Sequence, residues 1–163
     1  MVVNFAKKVI NSLNQIDREK SFSLVTFSTD AEEERGLTTA RNVRNYLNND
    51  VDYSGGYTNT KEAIEKCQHT FGNSDRQNVI LLVTDGVPTR PSGDPFQAAR
   101  NEAAEVKGLS NPTYVQPVFI NAGGNPQNAI TFMNDIASGR VFTIDDFDDL
   151  NDSLVDRLKD SLC

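Results

Sequence analysis

The chain has 163 residues, 37% of them hydrophobic and 24% charged, which suits a single domain with a sizeable core and is too apolar for a disordered segment. A formal net charge of −7, with no Lys/Arg cluster, argues against a phosphate-tracking surface, so neither nucleic acid nor an anionic membrane is an expected partner. No apolar run reaches the ~20 residues that cross a bilayer, so membrane insertion is not expected.

The elements follow in chain order. Val2, Phe5, Ala6, Val9, Leu13 and Ile16 recur at helical spacing and predict a first helix over residues 2–16, a pattern unlike that of a signal peptide. "SFSLVTFS" (residues 21–28) reads as a strand, and "AEEERGL" as a short polar edge strand whose charges discourage stray pairing. Residues 39–48 predict a short helix with Ala40, Val43, Tyr46 and Leu47 as its apolar stripe. A glycine-rich loop leads into a helix over residues 60–71. "NVILLVTDG" is a continuous apolar run closed by a turn, the pattern of a strand buried on both faces of a parallel sheet.

In "SGDPFQAARNEAAEVKGL", Asp94 is the expected N-cap, with Pro95 in the first turn, Gln97 in capping-box position and Gly108 at the end. "TYVQPVFINAG" is a strand in which Pro117 argues for a sheet edge or a bulge. A helix near 126–137, a short strand "RVFTI" and a last helix over 147–162, with Phe147, Leu150, Leu154 and Leu158 as its stripe, complete the chain. Strands alternating with helices imply an α/β fold: a mostly parallel sheet with helices on both faces, and ligands in the crevice beyond the carboxyl ends of the strands.

Cys67 shares a helical stripe with Ala63, Ile64 and Phe71 and reads as a buried thiol acting as a small hydrophobe. Cys163, the last residue, is placed as a disulfide half with no partner in its sequence neighbourhood, and Asn151-Asp152-Ser153 is the single glycosylation sequon. Both favour an extracellular or cell-surface setting. The only histidine, His69, falls on the solvated side of a helix, and no Walker, G-x-S-x-G or G-x-G-x-x-G spacing is present. A Mg²⁺-dependent α/β hydrolase is therefore the weaker of the alternatives.

Two stretches bring oxygen-bearing side chains to the expected rim: "DYSGGYTNTKEAI" (residues 52–64) and "LLVTDGVP" (residues 81–88). Thr58 and Asp85 offer a hydroxyl and a carboxylate, the hard donors that Mg²⁺ accepts, while Gly55, Gly56 and Gly86 allow close backbone approach. The same residues have ordinary uses. Asn59 or Thr58 can cap the following helix, with Glu62 completing a capping box for Asn59, and Asp85-Gly86 can be a plain turn.

"SGGYTNTKEAI", "NVILLVTDGVP" and "MNDIASGRVFTIDDFDDL", in that order and spacing, resemble the von Willebrand factor type A (vWA) domain family over nearly the whole chain. The resemblance implies a Rossmann-like three-layer sandwich with one short antiparallel edge strand. It also implies a metal-ion-dependent adhesion site to which Thr58 and Asp85 are the carry-over ligands. Such a site holds Mg²⁺ or Mn²⁺ and is completed by an acidic residue of a protein partner in the extracellular matrix or on a cell surface. On that reading the chain is a binding module and not an enzyme.

The family's domain begins with a central apolar strand ending in D-x-S-x-S, which supplies most of the metal ligands. No such motif occurs in this chain, whose first residues already lie in the helix that should follow, so a truncated N-terminus is expected. Two consequences are expected: neighbouring strands without a shared partner, and feeble Mg²⁺ binding. A metal-independent extracellular scaffold is the alternative.

Overall fold

The computed structural model describes residues 1–49, 51, 56–72, 75–121 and 126–162. Helix α1 (Val2–Ile16) is followed by strands β1 (Phe22–Phe27) and β2 (Ala31–Thr38), then by helices α2 (Ala40–Asn49) and α3 (Thr60–Phe71). Strand β3 (Asn78–Thr84), helix α4 (Pro95–Lys107), strand β4 (Thr113–Ile120), helix α5 (Pro126–Ile136) and strand β5 (Phe142–Ile144) alternate after that. A 3₁₀ turn (Phe147–Asp149) leads to helix α6 (Asp152–Leu162).

Three apolar clusters define the layers. On one face, α3, α4 and α5 pack on the sheet through Ile64, Ala99, Ala103, Phe132 and Met133 against Ile80, Leu82, Val115 and Phe119. On the other, Phe5 and Val9 of α1 join Leu154, Val155 and Leu158 of α6 over Val118, Ile120, Phe142 and Ile144. A third cluster seats Ile10 of α1 and Val43 and Leu47 of α2 on Phe22 and Leu24 of β1. Alternate residues of β3 and β4 thus serve opposite helical layers, as the two-residue period of a strand requires.

The strands form two sheets: an antiparallel pair β1-β2 and a parallel trio in the order β3-β4-β5. Among the described residues no ladder joins β1 to β3. The segments that flank the two strands are nonetheless hydrogen-bonded to one another. Beyond their carboxyl ends, Asn59 N–H donates to Ser28 O at 2.9 Å and Thr89 N–H to Thr58 O at 2.9 Å. Ahead of their amino ends, Arg76 donates to Glu19 Oε2 at 2.7 Å and to its carbonyl at 3.1 Å. Every residue of β1 is half-buried. The expectation that these two strands lack a shared neighbour therefore holds.

That split corrects the reading of "NVILLVTDG". Only alternate residues of β3 are buried, and Val79, Leu81 and Val83 remain half-buried, because β3 has a partner on one side only. Pro117 is a second correction: it lies in the middle strand, paired with Leu82, and at no edge. Strand β5 begins opposite Val118, so no ladder bond is lost at Pro117. The buried Gln116 side chain fills in there, its Nε2 donating to Arg140 O at 2.6 Å and to Pro117 O at 3.1 Å.

Two smaller differences concern ends. The polar edge strand β2 has eight residues and runs past the predicted segment. The last helix starts five residues later than its apolar spacing suggests. Asp146 accepts from Asp148 N–H to form the 3₁₀ turn, and Asn151 Oδ1 then caps α6 by accepting from Leu154 N–H at 3.2 Å. Phe147 and Leu150 pack from this turn, outside the helix. Asp94 caps α4 as expected, accepting from Gln97 N–H at 2.9 Å, but the Gln97 side chain turns to Asn101 instead of closing a capping box.

Candidate functional site

Helix α3 begins with its cap already assigned. Asn59 Oδ1 accepts from Glu62 N–H at 3.2 Å, while Asn59 Nδ2 donates to Glu62 Oε2 at 2.8 Å and to Thr29 O at 3.0 Å. Asn59 thus caps the helix and anchors its start to the end of β1, but the expected capping box is not closed, because the Asn59 backbone N–H donates to Ser28 O and Glu62 accepts from the side-chain amide instead. Capping is done by Asn59, so Thr58 is not needed for it. The Thr58 hydroxyl has no hydrogen-bond partner among the described residues; only its backbone is engaged.

That backbone is held by the loop after β3. Thr58 N–H donates to Thr89 Oγ1 at 2.9 Å, and Thr58 O accepts from Thr89 N–H at 2.9 Å and from Arg90 N–H at 3.2 Å. The turn that presents Asp85 is fixed by the buried Thr84, whose Oγ1 accepts from Gly86 N–H at 3.2 Å. Its consequence is close approach: a Cβ added to Gly86 would lie 2.8 Å from Thr58 Oγ1. Gly56 does the same on the other side, where an added Cβ would meet Thr29 Oγ1 at 2.9 Å. Gly56 also has φ +150°, a conformation that disfavours any side chain.

Of the two residues singled out in the sequence, Thr58 is thus brought against Gly86, the neighbour of Asp85 in the chain. Thr58 lies against the Asp85-Gly86 turn, at the rim where β1 and β3 end. Asp85 is exposed and makes no hydrogen bond or ion pair among the described residues. The unengaged Thr58 hydroxyl and the unengaged Asp85 carboxylate fit a hard divalent cation in donor type. They form an open set, and among the described residues no group of three His, Cys, Asp or Glu side chains converges to close it. Gly55, the other glycine expected here, lies outside the described residues, as does Cys163.

Sequence reasoning missed the second layer of this rim. Thr89 braces Thr58 from 31 positions away, a spacing that carries no local signal. Tyr57 is exposed, and the Arg90 guanidinium stacks over its ring at 4.2 Å. His69 is exposed on α3, as expected. Cys67 is a free thiol packed against the α3/α4/α5 core, and burial pushes its pKa up to about 12. An open groove of about 500 Å³ between β2 and α2, lined by Arg35, Thr38, Asn42, Asn45, Tyr46 and Asn49, shares no residue with the rim.

The fold agrees with comparisons to known proteins. Solved structures of proximal thread matrix protein 1 from the mussel byssus superpose on the chain with a TM-score of 0.81 at 21% identity, over 100% of this chain and 42% of that one. Another structure of that protein, with a zinc-occupied MIDAS motif, gives a TM-score of 0.77 at 20% identity, over 99% of this chain and 40% of that one. BatB from Bacteroides thetaiotaomicron gives a TM-score of 0.68 at 15% identity, covering 99% of this chain and 84% of that one. The chain thus spans about two fifths of the mussel protein's length. Comparison with curated protein sequences returns no match. The profile of the von Willebrand factor type A domain matches residues 1–157, and the chain belongs to that family.

Proposed function

We propose that the chain is a protein-binding module whose rim uses Thr58 and Asp85 to hold a divalent cation, with a carboxylate of the partner completing the site. The observation that carries this reading is the seating of Thr58 Oγ1 against Gly86, next to Asp85, an approach that the missing Cβ of Gly86 permits. A zinc-occupied MIDAS motif in the mussel protein, which shares the fold, supports a divalent ion as the ligand class.

When bound, Mg²⁺ or Mn²⁺ would supply the positive charge that a partner carboxylate seeks. The chain's residues do the rest. Asp85 contributes a charged oxygen, and Thr58 a neutral one that leaves the ion's charge largely uncancelled. Thr89 and the Arg90 N–H fix the Thr58 backbone so that binding has little ordering cost. Two protein donors leave most positions to water, so affinity for the ion alone is weak. The module performs no reaction, and its setting is extracellular or at a cell surface. The short donor set favours one second reading, a metal-independent scaffold.

The test is calorimetry with a synthetic peptide carrying a single Asp, in Mn²⁺ and in EDTA. Binding that needs Mn²⁺ and is lost in Asp85→Asn supports the adhesion reading. Binding that ignores both leaves the scaffold.

A further inference from the structure

We infer that Arg90, stacked on Tyr57, is a second anchoring point for the partner beside the Thr58–Asp85 site, and that the partner presents two neighbouring carboxylates, one for the cation and one for Arg90. This rests on the reading above.

Arg90 is tied to the site through its backbone, which donates from N–H to Thr58 O at 3.2 Å. Tyr57 is the residue immediately before Thr58. The stacked pair is thus built from the same two segments that frame the candidate cation site. The guanidinium lies 4.2 Å from the Tyr57 ring centroid, the geometry of a cation–π contact. It has no ion pair or side-chain hydrogen bond among the described residues. Its Nε is buried without a partner. A buried donor that goes unmade costs stability, and structures usually satisfy it. Here the side chain is held down at Nε by packing, with its fork left for an acceptor supplied from outside.

Local charge, and not the net charge, singles out Arg90 as the place for an acidic group. The chain carries −7 overall, which disfavours approach of an acidic partner. In the segments that build the rim (residues 28–30, 56–59 and 84–90), Asp30 and Asp85 are acidic and Arg90 is the single cation. A guanidinium fork matches a carboxylate in bidentate fashion, and Tyr and Arg are the residue types that dominate interface energetics. Tyr57, exposed at 53% of its surface, adds an apolar platform that a partner side chain can cover.

The experiment uses a panel of synthetic peptides, with one Asp or with two Asp spaced by one to four residues, titrated into the chain with Mn²⁺ or EDTA. One two-Asp spacing is expected to bind about fivefold or more tightly than the one-Asp peptide in Mn²⁺. Arg90→Gln should erase that advantage, leave one-Asp binding within about twofold, and thereby also show that the variant is folded. Arg90→Lys keeps the charge but not the fork, and recovers only part of the gain. NMR should show the Arg90 Nε–H signal shifting with the two-Asp peptide alone.

If Arg90→Gln retains the full two-Asp advantage, the inference fails while the cation reading stands. If Arg90→Gln weakens binding but EDTA and Asp85→Asn do not, the cation reading fails and the paired-acid partner with it. If no peptide in the panel binds, both are overturned.

Discussion

Thr58 Oγ1 and Gly86 are so close that a methyl group on Gly86 would sit 2.8 Å from the hydroxyl oxygen. A contact that short displaces the threonine side chain, since backbone on either side is pinned by Thr84 and Thr89. Gly86→Ala is therefore expected to abolish Mn²⁺ response while costing only about 1 kcal/mol of stability. Parallel calorimetric and urea titrations of the variant check this. Unaltered Mn²⁺ binding would mean that the threonine is not a ligand.

Among the described residues β1 and β3 each keep one edge without a strand partner. Buried backbone groups without partners cost about 1–3 kcal/mol each, against about 5–15 kcal/mol for a whole domain. A chain extended at its amino end by an apolar strand ending in Asp-x-Ser-x-Ser is expected to show a higher urea midpoint and less binding of a hydrophobic dye. Equal midpoints for the two chains would contradict this.

Glu34 on β2 gives a pH handle. Hydrogen bonds from Tyr46 and Thr26 hold its carboxyl below the ordinary 4.5, and Thr26 Oγ1 donates to Glu34 Oε1 at 2.7 Å. A depressed folded-state value means that the stabilisation is present above pH 4.5 and lost as pH falls through the folded value. Glu34→Gln should cost about 1 kcal/mol near neutral pH, and the gap from the parent chain should close in acid. Urea melts of both proteins from about pH 7 to about pH 3 measure it.

Cys67 should be inert in the native state. Burial keeps the thiol protonated up to about pH 12, whereas the unfolded thiol ionises near 9.0, so its share of stability falls as pH rises between those values. In Cys163→Ser, which leaves Cys67 as the one thiol, a disulfide reagent near pH 8 should label the protein in urea and hardly at all without it. Fast native labelling would show that α3 opens readily.

Much of this was legible in the sequence because it rests on local physics. The helical stripe of α1, the Asn59 cap and the Asp94 cap each involve residues within a turn or two of one another. So does Thr84-Asp85-Gly86, which ends a strand where its apolar run stops. What was not legible depends on neighbours. Pro117 reads as an edge residue until β5 is seen to start one position later. The continuous apolar run of β3 reads as fully buried until its second partner is found missing. Thr89 and Arg90 gain their roles only because the loop after β3 folds back on Thr58, which no periodicity encodes.

Manganese-induced broadening of the chain's NMR signals tests the central claim most directly, because it reports which residues surround the ion. Shared ligation by Thr58 and Asp85 predicts that signals of residues 57–59 and 84–86 broaden first and together, and that Asp85→Asn removes the effect. Broadening centred instead on the acidic run Asp145–Asp149, with residues 57–59 untouched, would contradict it.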